Sequence, residues 1–126
     1  MFRENIQKLV DRLDGGVGGV VMGFDGIAVD AYTPQGGAAA TGGHLPEIQT
    51  VGMEFAHLAA QARRGALSLN IGALRELTIR TDRLTVLIQV INQDYFVACA
   101  VLSEGINLGK ARYLLRMTVP QLVAEL

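Results

Sequence analysis

The residues best suited to chemistry in this 126-residue chain are His44, His57, Cys99 and the glycine-rich run at residues 15–19. A metal centre needs His, Cys or carboxylate ligands at short spacings of the HExxH or Cys/His kind. Neither histidine has such company, so no metal or other cofactor is expected. No serine stands in a G-x-S-x-G elbow, which leaves Ser-His-Asp catalysis without a nucleophile. The run GGVGG is similar in composition to a phosphate loop, but it follows a helical pattern and precedes a strand. A dinucleotide fingerprint does the reverse, and the Gly-Lys-Ser/Thr ending of a Walker loop is missing. The run is read as a helix stop leading tightly into a strand. Cys99 lies in the apolar stretch YFVACAVL and is expected to be a buried, reduced thiol. The chain is therefore read as a non-enzyme, with no catalytic residues.

One charged group calls for a partner. Lys110, Arg112 and Arg116 crowd the start and middle of a helical pattern, where cations oppose the helix dipole and Arg112 and Arg116 repel at i,i+4. A solvated cationic face is the plain reading. An acidic partner surface or an internal carboxylate would relieve the repulsion.

The elements that must position these groups follow from hydrophobic periodicity. Phe2, Ile6, Leu9, Val10 and Leu13 repeat at helical spacing, and Gly15-Gly16 end that helix. The segment VVMGFDGIAVDAYT predicts two strands, residues 20–24 and 27–32, joined by an Asp25-Gly26 turn. Residues 33–44, TPQGGAAATGGH, lack the bulk to pack and are expected to be a flexible surface loop. A second helix is predicted over residues 45–68, with Pro46 and Glu47 in its first turn and a stripe of Ile48, Val51, Phe55, Leu58, Ala59 and Ala62. Small residues broaden the stripe, and either a neighbouring helix or alanine's helix propensity accounts for them. Residues 74–81 alternate, Leu77 and Ile79 against Glu76, Thr78 and Arg80, as a half-exposed strand near a sheet edge. Residues 84–91 and 95–102 are nearly continuous apolar runs, as central strands are. A last helix runs from residue 108, with Leu108, Ala111, Leu115, Leu122 and Leu126 inward, Leu114 and Val119 flanking, and a kink or break near Thr118 ahead of Pro120.

The order is α-β-β-α-β-β-β-α. Short turns between sequential strands imply an α+β fold: a five-stranded antiparallel sheet with helices on both faces, in a single domain spanning residues 1–126. Half of the residues are apolar and 18% are charged, so part of the surface is expected to meet another subunit or a partner. A net charge of −1 excludes the electrostatic footprint of a general nucleic-acid binder. The amphipathic first 14 residues lack a signal-peptide core, and no apolar run reaches membrane-spanning length, so a cytoplasmic, non-membrane location is expected.

In order and motif the chain resembles the roadblock (dynein light chain roadblock-type) family, whose fold is profilin-like. The resemblance runs from Phe2 to about Leu126. It is carried by MGFDGIAVDAY, by the series ELTIRT, LTVLIQVI and YFVACAVL, and by the ending GINLGKARYLLRMTVPQL with Gly109, Ala111 and Arg112. The loop at residues 33–44 departs from the family's compact connection. The resemblance implies one helix on one sheet face and two on the other, and a homodimer in which second helices pack together and third strands join the sheets. The implied dimer residues are Val51, Phe55, Leu58, Ala59, Ala62, Glu76, Thr78 and Arg80. Bacterial members of the MglB/MglC-like branch partner Ras-like small GTPases: the MglB type accelerates GTP hydrolysis by MglA without donating an arginine finger, and MglC-like relatives bind MglB. The hairpin and short C-terminus lean toward an MglC-like or generic roadblock member. A partner surface is expected at Glu54, His57, Gln61 and Arg64, with Arg112 and Arg116. Three roles follow: a homodimeric regulator of a Ras-like GTPase, a pure adaptor for another roadblock protein or a polarity or motor complex, and a small-ligand sensor.

Overall fold

The computed structural model describes residues 2–35 and 44–126. Its elements are α1 (Phe2–Arg12), β1 (Gly16–Gly23), β2 (Ala28–Tyr32), α2 (Ile48–Ser68), β3 (Glu76–Arg80), β4 (Leu84–Val90), β5 (Tyr95–Leu102) and α3 (Leu108–Val123). The strands form one antiparallel sheet in the order β2-β1-β5-β4-β3. The α+β architecture expected from the sequence is the one observed. The loop expected at residues 33–44 lies largely outside the described residues.

Two apolar layers flank the sheet. Ile6, Leu9 and Val10 of α1 and Ala111, Leu114, Leu115 and Leu122 of α3 pack on Val21, Leu87, Val97, Cys99 and Val101. On the opposite face Ile48, Val51, Ala56 and Ala59 of α2 meet Val20, Met22, Phe96, Ala98 and Ala100. Alternate residues of β1 and β5 thus feed opposite cores, which is why those strands are apolar without a break. α2 crosses β1, β2 and β5, so Leu77 and Ile79 on β3 remain only half-buried on that face.

The glycine run corrects the expectation drawn from its sequence. β1 begins at Gly16, not at residue 20, and the glycines are part of the strand. A Cβ on Gly19 would sit 2.8 Å from Ile6 Cγ2 and 2.9 Å from Val10 Cγ2, and one on Gly18 would sit 2.9 Å from Ile48 Cβ. Both neighbouring helices therefore approach β1 because these positions carry no side chain. Gly52 does the same from the α2 side, where a Cβ would lie 3.0 Å from Met22 Cε.

Several boundaries also move. The first hairpin has a three-residue loop, because Gly23 N–H already donates to Ile27 C=O (2.9 Å) and Phe24 joins Asp25 and Gly26 in the turn. Gly26 takes the left-handed conformation (φ +85°) and the Asp25 carboxylate accepts from Ile27 N–H at 3.0 Å, the pattern of a type I turn closed by a glycine bulge. α2 starts at Ile48, so Pro46 and Glu47 stand just ahead of it. α3 runs through Pro120 to Val123 without the break expected near Thr118. Pro120 falls so near the helix end that its missing N–H interrupts only the last turn. Leu126, expected inward, is 48% exposed beyond that end. Asn107 caps α3, its side chain accepting from Lys110 N–H at 3.0 Å.

Candidate functional site

Among the described residues, no group of three or more His, Cys, Asp or Glu is placed to hold a metal ion. Cys99 is fully buried, and burial pushes its thiol up to about 12, so it is an inert core residue. His44 and His57 are exposed and far apart in sequence, on a connection and on α2. The crevice between α1, β5 and α3, lined by Leu13, Val101, Ile106 and Ala111, measures about 10 Å3, room for about one water molecule. No helix among the described residues is long and apolar enough to cross a membrane. The protein's surface carries distinct features.

The first of these is the outer edge of β3. Arg75 C=O accepts from Val90 N–H (2.9 Å) and Thr81 N–H donates to Leu84 C=O (3.1 Å). With the register Leu77 opposite Ile88 and Ile79 opposite Val86, the antiparallel alternation turns the main chain of residues 75, 77, 79 and 81 toward β4. The N–H and C=O groups of Glu76, Thr78 and Arg80 then point away from the sheet. The register along this edge is regular and the strand holds no proline.

The opposite edge, β2, is guarded. Its register against β1 slips between Val21 and Met22, and the Asp30 carboxylate takes up Ala31 N–H at 2.9 Å. Bulges and inturned charges are the usual means of preventing strand addition. Of the two edges, β3 is the one whose register is unbroken.

Glu76 is the hinge of this region. Its carboxylate accepts from Gln89 Nε2 (2.9 Å) and pairs with Arg112 of α3, through Nε at 3.3 Å and a second contact from the terminal guanidinium nitrogen. The Arg112 hydrogen bond holds the Glu76 carboxyl below the usual glutamate range, against an opposing contribution from burial. The same contact raises Arg112 further above its ordinary value. Of the two ways to relieve the cation cluster, Arg112 uses the internal carboxylate and is spoken for. Lys110 has turned to Asp14 at 3.2 Å, and Arg116 forms no ion pair among the described residues.

α2 supplies the second surface. Glu54, His57, Gln61 and Arg64 are all exposed and lie along one line of the helix, as their 3-4-3 spacing requires. Leu58 is 41% exposed and Met53 59%, while Phe55 and Ala62 are half-buried. Val51 and Ala59 are different: at 5% and 0% exposure they are packed into the core against the sheet. Their side chains are enclosed within the protomer, and the apolar part of α2 open to a second helix is Met53, Phe55, Leu58 and Ala62. The sequence stripe merged these two sets because 3.6-residue periodicity defines a face without saying how wide the sheet beneath it is. The edge exposure of Glu76, Thr78 and Arg80, by contrast, was visible in the alternation itself.

A third feature escaped the sequence reading. Arg63 lies over the Phe24 ring, 3.9 Å from its centroid, and donates to Gln93 C=O. Phe24 in turn packs edge-on against Phe96 at 5.3 Å. This ties α2 to both the first hairpin and the β4–β5 turn, a convergence that spacing along α2 does not encode.

Against known proteins, the whole-chain likeness is to bacterial roadblock structures. MglC from Myxococcus xanthus is 31% identical, with a TM-score of 0.69 covering 99% of this chain and 98% of that one. An MglB solved in a tetrameric arrangement has a TM-score of 0.79 at 14% identity, covering 96% and 84%. A Roadblock/LC7 domain from Streptomyces avermitilis has a TM-score of 0.75 at 14% identity, covering 94% and 92%. No family model matches the sequence, and no curated protein matches it. With near-complete coverage of both chains, the 31% identity to MglC places this chain in the roadblock family, on its MglB/MglC-like branch.

Proposed function

We propose that the chain is a homodimeric, non-enzymatic scaffold that regulates a Ras-like small GTPase in a polarity or motility system. The observation that carries the reading is the open edge of β3. A two-fold axis through Thr78 would set Glu76 of each copy opposite Arg80 of the other, an opposite-charge pair on either side of the centre. The half-buried Leu77 and Ile79 on the α2 face, with the exposed Leu58 and Met53, would be covered in the same contact. Likeness to an MglB with a tetrameric arrangement supports self-association.

In this reading the exposed line Glu54, His57, Gln61 and Arg64, continued across two copies, forms the surface for the GTPase. Regulation then acts by preferring one switch conformation, a population shift set by differential affinity.

Light scattering after size exclusion tests the dimer. The wild type should elute as a dimer at micromolar concentration, and Thr78→Pro should be a folded monomer. That substitution removes an outward N–H which the protomer's own sheet does not use. A monomeric wild type overturns the assignment. Single-turnover GTP hydrolysis by a Ras-like GTPase from the same genome, with and without the chain, then separates regulator from adaptor: binding with no change in rate leaves only the adaptor.

A further inference from the structure

Several segments converge at one end of the sheet, bringing Arg64 of the α2 line and Glu76 of the β3 edge together with residues that neither surface uses. There the C-terminal half of α2, the segment leading into β3, the β4–β5 turn and α3 enclose a groove of about 990 Å3. Four guanidinium groups line it, from Arg63, Arg64, Arg75 and Arg116. Two carboxylates face them, Glu76 and Asp94, and the charge of Glu76 is already met by Arg112. Arg64, Arg75 and Arg116 form no ion pair among the described residues. The rest of the wall is mostly apolar, with Leu67, Leu74, Ile91, Val119 and Pro120 contributing.

We infer that this groove is a docking site for an acidic peptide segment of a partner protein, one that carries apolar side chains between its carboxylates. Charge decides the sign of the occupant. A chain with a net charge of −1 overall has gathered four arginines around one concavity with a single uncompensated carboxylate. Guanidinium groups recognise carboxylates with two parallel hydrogen bonds. The apolar wall decides the class. A nucleic-acid strand would call for stacking platforms, and the groove lining contains no aromatic ring. A membrane surface would be met by a convex or flat basic patch, whereas these arginines ring a recess. An isolated small anion would leave the apolar wall uncovered. An extended or helical peptide with alternating acidic and apolar side chains satisfies both halves of the site. All of its residues come from one protomer, and through Glu76 and Arg64 it adjoins the β3 edge and the exposed α2 line.

The test uses the full chain and a fluorescein-labelled peptide of interspersed glutamate and leucine, read by fluorescence polarisation. Saturable binding is expected, weakened about tenfold or more by the double variant Arg75→Glu/Arg116→Glu and unchanged by Lys8→Glu, an exposed charge reversal on α1. Both arginines are exposed, and matching circular dichroism spectra establish that the variant is folded. A matched peptide with glutamine in place of glutamate should lose binding, and one with serine in place of leucine should weaken it. Equal binding to the double variant, equal loss with Lys8→Glu, or indifference to the leucines overturns the proposal. So does tighter, arginine-dependent binding of single-stranded oligonucleotide or of phosphatidylserine vesicles, which would assign the groove to those ligands.

Discussion

Gly19 and Gly65 show how the same residue type has opposite consequences at different places in the fold. An added methyl at Gly19 meets the side chains of Ile6 and Val10 below 3.0 Å, while one at Gly65 meets nothing within 4 Å. Overpacking a tight interface costs about 1–3 kcal/mol, whereas replacing an exposed helical glycine gains about 0.5–1 kcal/mol. Urea denaturation should therefore show Gly19→Ala destabilised and Gly65→Ala stabilised by about these amounts. A neutral Gly19→Ala would mean that α1 is not seated as tightly on β1 as the distances imply. Cys99 yields a second check at this scale. Fully buried and with its thiol pushed up to about 12, it should react with a disulfide reagent only as fast as the protein unfolds.

Among the elements, α3 and β3 are coupled through one carboxylate. Glu76 is held below the usual glutamate range in the folded state, chiefly by the Arg112 hydrogen bond. A depressed carboxylate contributes stability above its unfolded value, and that contribution is lost as pH falls through the folded one. Thermal melts should therefore separate wild type from Glu76→Gln most widely near neutral pH and bring them together in acid, below the ordinary glutamate range. A gap that persists unchanged in acid would show that packing, not charge, makes the contact. The start of α3 depends on a different side chain. Asn107 accepts from Lys110 N–H, and Asn107→Ala should cost about 0.5–2 kcal/mol, measured by chemical denaturation. At the far end of the same sheet, the buried Ser103 hydroxyl donates to Thr81 C=O at 2.7 Å and meets Thr85 Oγ1 at 2.9 Å. These bonds fasten the β3–β4 turn to the end of β5.

For the molecule as a whole, the contrast between its two sheet edges matters most. A register slip interrupts β2, whereas β3 pairs without one. If β3 is the seam of a dimer, folding and association are linked, and Tm should rise with protein concentration. Thr78→Pro should abolish that dependence while keeping the native circular dichroism spectrum. A concentration-independent Tm in the wild type would remove the dimer from the account.

The sequence by itself determined the order and kind of nearly every element, because period-2 and period-3.6 patterns record which side of a strand or helix meets a core. It also marked β3 as an edge: Leu77 and Ile79 alternate with Glu76, Thr78 and Arg80, a pattern the buried central strands do not show. Tertiary structure alone decided where the glycines belong, since Gly18 and Gly19 serve two helices that come from opposite faces. It divided the α2 stripe into Val51 and Ala59, enclosed by the sheet, and Leu58, left outside, because the angle and position of a helix on a sheet are not written in its periodicity. It also settled the crowded cations of α3. Arg112 found Glu76 across 36 positions of chain, while Arg116 was left at a groove whose walls come from four separate segments. Pairings of that range follow from how the layers stack, and local spacing carries no record of them.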